Sequence, residues 1–116
     1  MRAALLTAGI MMLTVAPADA AEQMAARGVG VGTCAQFGQF YKTDPKSTDR
    51  IFGSWAQGFM SGWNFSTLPR YRELGSTSAD SQMQHIRLYC DEHPLLPFVR
   101  AVMDLYQSLP EMKNSN

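Results

Sequence analysis

IFGSWAQGFMSGWN, residues 51–64, is the run whose reading decides the fold. Ile51, Trp55, Phe59 and Gly62 recur at helical spacing on one face, and Phe52, Ala56, Met60 and Trp63 on the adjacent face. A helix apolar around most of its circumference is one that other elements enclose. The spacing therefore predicts a central helix that ends near Asn64. It starts at Asp44, capping with Pro45 in the first position, or slightly later at Ser47. Glycine costs about 1 kcal/mol against alanine in a helix interior, yet Gly53, Gly58 and Gly62 all stand in this segment. Ser54, Gly58 and Gly62 recur every fourth residue and make a ridge of small side chains where a second helix can come close. Trp55, Gly58, Phe59 and Gly62 are accordingly the expected helix-packing residues, with a ligand-contacting groove as the alternative.

Upstream, Thr33 reads as the N-cap of a short helix from Cys34 to about Tyr41, with Cys34, Phe37, Phe40 and Tyr41 on its apolar face. Downstream, FSTLPRYRELGSTS (residues 65–78) is turn-rich and reads as a loop. A third helix starts near Ser78 or Asp80 and runs to about Cys90, with Met83, Ile86 and Cys90 facing inward. His93-Pro94 breaks it. A fourth starts between Pro94 and Pro97 and ends near Leu109, and Phe98, Val102, Leu105, Tyr106 and Leu109 form its stripe. No strand pair stands out, and residues 111–116 read as a polar, frayed tail. The expected fold is all-α, a compact four-helix domain over residues 33–110.

Residues 1–20 read as a signal peptide. Arg2 supplies the positive start, Ala3 to Ala16 an uncharged run of fourteen residues, and Ala18-Asp19-Ala20 a small-x-small cleavage pattern. A spanning helix needs about 20 apolar residues, so no stable membrane anchor is expected after cleavage, and the mature chain is expected in the periplasm. Residues 21–32, with their alternating glycines, read as a flexible lead-in. In an exported chain the two cysteines favour a Cys34–Cys90 disulfide over free thiols or an intermolecular bridge. Closing so long a loop is worth roughly 4 kcal/mol in the chain-entropy model. That is a large share for a small domain whose core is marginal.

Ten basic and ten acidic residues balance to a net charge of zero. Neither sign forms a long run, so nothing points to the basic patch of a nucleic-acid binder or to the polybasic stretch of an electrostatic membrane binder, and no nucleic acid is expected as a partner. His85, Cys90 and His93 could be imagined as zinc ligands, but their spacing matches no common zinc pattern and Cys90 has a partner in Cys34. An oxidised thiol is also no nucleophile. No catalytic residue, metal or cofactor is expected. Asn64-Phe65-Ser66 fits an N-glycosylation sequon, which matters only in a eukaryotic secretory route. Arg70 and Arg72 flank Tyr71, a pairing typical of protein-binding hot spots, and these three are the candidate partner-binding residues. An ordinary solvated loop is the alternative.

Several of these elements fall in a familiar order. They are Thr33-Cys34-Ala35-Gln36-Phe37 opening the first helix, Gly58-Phe59-Met60-Ser61-Gly62 in the second, and Cys90 closing the next. Pro94 and the Phe98…Val102…Leu105 stripe complete it. Over about residues 33–109 this layout resembles the HdeA-like group of small periplasmic helical proteins, and also the Tai-type immunity proteins of type VI secretion. The resemblance implies a disulfide-stapled module that works by binding another protein, a client or an effector, with a homodimer among its expected states. In the HdeA type, acid opens a folded dimer and exposes apolar surface to unfolding clients. In the immunity type, a helical dimer blocks a secreted toxin. The chain differs from both in being only 17% charged and in carrying Trp55 near where the immunity proteins place an additional cysteine. A non-catalytic protein-binding module, stress- or acid-related, is the expected function. An immunity-type inhibitor is the alternative, and a small enzyme or metal carrier the remaining one.

Overall fold

Thr33 stops the extended chain and starts α1 (Cys34–Thr43) with a reciprocal capping box. Its hydroxyl accepts from the Gln36 N–H at 3.2 Å, and the Gln36 side chain accepts from the Thr33 N–H at 2.9 Å. In the computed structural model, which describes residues 26–114, the next free N–H groups of α1 find carbonyls outside the helix. Cys34 donates to Leu96 at 2.8 Å and Ala35 to Pro94 at 2.9 Å, while Phe98 returns a bond to Gly32 at 2.7 Å. The expected signal peptide and the start of the lead-in lie outside the described residues.

Asp44 caps α2 (Pro45–Thr67), accepting from the Ser47 N–H at 3.1 Å with Pro45 in the first turn. That bond, with the Ser47 side chain and then Arg50, holds the Asp44 carboxyl below its ordinary range. Ser78 caps α3 (Ala79–Glu92) through the Ser81 N–H, and α4 spans Phe98–Ser108. The His93 N–H closes the end of α3 on the Tyr89 and Cys90 carbonyls. The Cys34–Cys90 disulfide, Cα atoms 4.8 Å apart, ties the first turn of α1 to the last turn of α3. Beside it Phe37, Phe52 and Phe98 meet with ring centroids 4.9–5.0 Å apart, one ring each from α1, α2 and α4. Met60, Ile86, Val102 and Leu105 extend this core. The result is a compact, mainly helical domain of four helices and one disulfide, and no helix among the described residues is long and apolar enough to cross a membrane.

Two parts of the domain differ from the all-helical expectation. Arg70–Arg72 forms β1 and Glu111–Lys113 forms β2, an antiparallel ribbon that pairs Tyr71 with Met112. The segment expected as loop and the one expected as frayed tail thus hold each other. The lead-in also packs where it is described: Val29–Val31 makes a 3-10 turn with Gly30 buried against the Trp55 ring.

The small-residue ridge of α2 lies on the opposite side from its expected partner. Thr48, Phe52, Ala56 and Met60 are the buried stripe. Positions 54, 58 and 62 lie two residues further on, about half a turn away at 3.6 residues per turn. Gly58 and Gly62 are exposed, with nothing within 4 Å of where a Cβ would stand, and Ile51 is also exposed. The helix is therefore covered on one side rather than enclosed. Gly53 is the glycine of this helix that faces a neighbour, and a Cβ there would meet the Met83 sulfur at 3.5 Å, an ordinary van der Waals contact.

Candidate functional site

Tyr71 is held from both sides of its strand. The Glu73 N–H donates to Pro110 and the Asn114 N–H to Pro69, both at 3.0 Å. This alternation makes Tyr71–Met112 the pair whose main chains face each other across the ribbon. The Arg70 and Arg72 main chains consequently face α2. There the Asn64 carboxamide accepts from the Arg72 N–H at 2.7 Å and donates to the Arg72 carbonyl at 2.9 Å, as a neighbouring strand would. The same Asn64 oxygen accepts from the Tyr106 hydroxyl at 2.9 Å, and the Thr67 hydroxyl donates to the Arg70 carbonyl at 2.9 Å.

The three candidate partner-binding residues have different positions. Arg72 is used within the domain. Its guanidinium donates to the Leu109 carbonyl at 2.8 Å at the end of α4, lies 3.6 Å from Glu111, and sits 5.9 Å over the Tyr106 ring. Arg70 is largely in solvent, 3.4 Å from Glu111. Tyr71 turns to the other face and lines a shallow cleft of about 340 Å³ with Ser61, Asn64, Phe65, Leu68 and Leu74. Phe65 is 77% exposed and Leu68 49% exposed. Sequence reasoning did not single out these two, although both fall out of phase with the buried Phe52/Ala56/Met60 stripe, which is the pattern that marks an outward-facing apolar residue.

Of the expected packing residues, Trp55 and Phe59 do pack. Trp55 donates its indole N–H to the Arg27 carbonyl at 2.7 Å and stacks on Phe59 at 5.3 Å. Phe59 meets Trp63 edge-on at 5.9 Å, and Trp63 stacks on Tyr106 at 4.2 Å. Gly58 and Gly62 take no part.

A second opening, about 570 Å³, lies between α2 and α3. Its floor is apolar (Ala56, Met83, Ile86 and Leu105), and Asp49, Arg50 and Asp80 stand at its rim. Gln57 and Gln82 close one end by a side-chain hydrogen bond, and Arg87 pairs with Asp49 at 3.1 Å.

The residues imagined as zinc ligands are otherwise engaged. The Cys90 sulfur is bonded to Cys34, His85 Nε2 lies 2.7 Å from Asp104, and the His93 ring packs on Tyr89 at 4.4 Å. Among the described residues, no group of three or more His, Cys, Asp or Glu is placed to hold a metal ion. Compared with known proteins, the chain matches no family model, no curated protein and no solved structure.

Proposed function

We propose that this chain is a non-catalytic, periplasmic protein-binding module of HdeA-like type that takes its partner on the apolar end of the domain, where Phe65, Leu68 and Tyr71 meet. The supporting observation is Phe65, a large apolar side chain held in solvent at the end of a helix whose last turn is clamped to β1. Apolar and aromatic anchors on a rigid element bind with little ordering cost, and Tyr and Arg beside them are typical of hot spots. The disulfide fits an oxidising compartment, in keeping with the expected signal peptide. A stress- or acid-related role belongs to this reading, and the ribbon beside the apolar surface carries the ion pairs of Glu111 with Arg70 and Arg72.

The test is suppression of client aggregation, followed by light scattering at neutral and acid pH, for wild type and a Phe65→Ser/Leu68→Ser variant. Wild type is expected to keep clients in solution and the variant to lose this at unchanged thermal stability. Equal suppression by both, or none by either, rejects the reading.

An immunity-type inhibitor is the second reading, favoured by the two-sided anchoring of Tyr71, which suits one shape-matched partner. Neutralisation of a toxin encoded by a neighbouring gene would select it over the first, and absence of such a gene would remove it.

A further inference from the structure

We propose that β2 pairs with β2 of a second copy of this chain, antiparallel about Met112, joining the two ribbons into one four-stranded sheet. The inner edge of β2 is taken by β1, and the outer edge of β1 is taken by Asn64 and Thr67. Among the described residues, no side chain or strand pairs with the outer edge of β2 in the same way. Because Met112 faces β1, the Glu111 and Lys113 main chains point outward, and all residues of the strand are exposed. An open strand edge is a template for another strand unless the sequence blocks it.

The sequence of this edge selects its own copy. Glu-Met-Lys reads as its own complement when run antiparallel: Glu111 stands opposite Lys113 of the second copy, and Lys113 opposite its Glu111. These are also the residues whose N–H and carbonyl groups point outward, so each such pair exchanges both main-chain hydrogen bonds. Within one chain Lys113 stands across from Arg70, a like-charge pairing that disfavours the ribbon. The second copy's Glu111 supplies the opposite charge. The Met112 side chains meet at the twofold axis on the face that carries Tyr71, with Phe65 and Leu68 beside it. The two cleft faces become one apolar strip to which each copy contributes its Met112. The interface is small, in the range of transient associations. It is independent of the proposed client binding, because self-association is read with no client present.

Sedimentation velocity on the mature protein, from low micromolar to millimolar concentration, tests the pairing. Wild type is expected to shift from monomer to dimer. Lys113→Glu sets like charges across the new interface while giving Arg70 an opposite charge within the chain, and is expected to weaken dimerisation about tenfold. Lys113→Pro removes an outward N–H without touching the β1 ladder, and is expected to abolish the dimer at unchanged thermal stability. Met112→Cys is expected to cross-link two copies on mild oxidation, whereas Gly75→Cys, on an exposed turn, is not. A wild type that stays monomeric throughout, or a dimer that Lys113→Pro leaves intact, overturns the proposal.

Discussion

Trp55 and Gly30 occupy each other's space: the indole lies where a side chain at position 30 would begin. The same indole donates to the Arg27 carbonyl, so one residue of α2 meets the approach to α1 at two points. Gly30→Ala places a Cβ 2.1–2.3 Å from three carbons of the six-membered ring and forces the indole out. Overpacking of this kind costs about 1–3 kcal/mol. The expected result is a lowered urea midpoint together with altered tryptophan fluorescence of the folded state.

Gly58 and Gly62 predict the opposite sign. With open space at both positions, alanine gains helix propensity and meets nothing. Each substitution is expected to stabilise by up to about 1 kcal/mol, measured by chemical denaturation. A loss of stability would mean that another chain covers this face in solution.

Asn64→Ala removes the side-chain partners of the Arg72 N–H and carbonyl and of the Tyr106 hydroxyl together. With net values near 1 kcal/mol per bond and a further penalty for groups left unpaired, a loss of about 2–4 kcal/mol is expected. Hydrogen exchange should locate it: amides of Arg70–Arg72 lose protection while those around the disulfide keep theirs.

Replacing Cys34 and Cys90 by serine frees the ends of α1 and α3 from each other. The loop-closure estimate is about 4 kcal/mol, and the expected outcome is a large fall in Tm that a reductant reproduces in wild type.

Asp44 gives a pH dependence with a defined sign. Its folded-state pKa is depressed, first by the Ser47 N–H bond. The stability it contributes is therefore fully present above the ordinary carboxylate value of 3.8 and is lost as pH falls through the lower folded value. Asp44→Asn keeps a capping oxygen but does not titrate. The gap in urea midpoint between wild type and Asp44→Asn is expected to close as the solution is acidified through this range.

Much of the helical layout was legible in the sequence because helix ends are local chemistry. Thr33, Asp44 and Ser78 each announce a cap within a few residues of the helix they start. The disulfide was legible because only two cysteines exist to pair. The ribbon was not, since each strand has three residues, Pro69 and Pro110 precede them, and the pairing joins distant parts of the chain. No local alternation distinguishes such strands from loop. Fourfold spacing of Ser54, Gly58 and Gly62 fixed a common face but not which face, and the larger side chains two positions away decided that. At the candidate surface, Tyr71 stood out in the sequence by its arginine neighbours. Phe65 and Leu68 carried only their phase against the buried stripe, a signal that counts once the helix is known to run past Asn64 to Thr67.

The clamp at Asn64 makes the route of manufacture a structural variable. Asn64-Phe65-Ser66 is an acceptor for N-linked sugar, and the nitrogen that would carry the sugar is the one that donates to Arg72. A eukaryotic secretory host can attach a glycan while the chain is still extended, and would place it in the seam between α2 and β1. Bacterial export leaves that nitrogen to the strand, so material from the two kinds of host is expected to differ in ribbon stability and in the surface around Phe65.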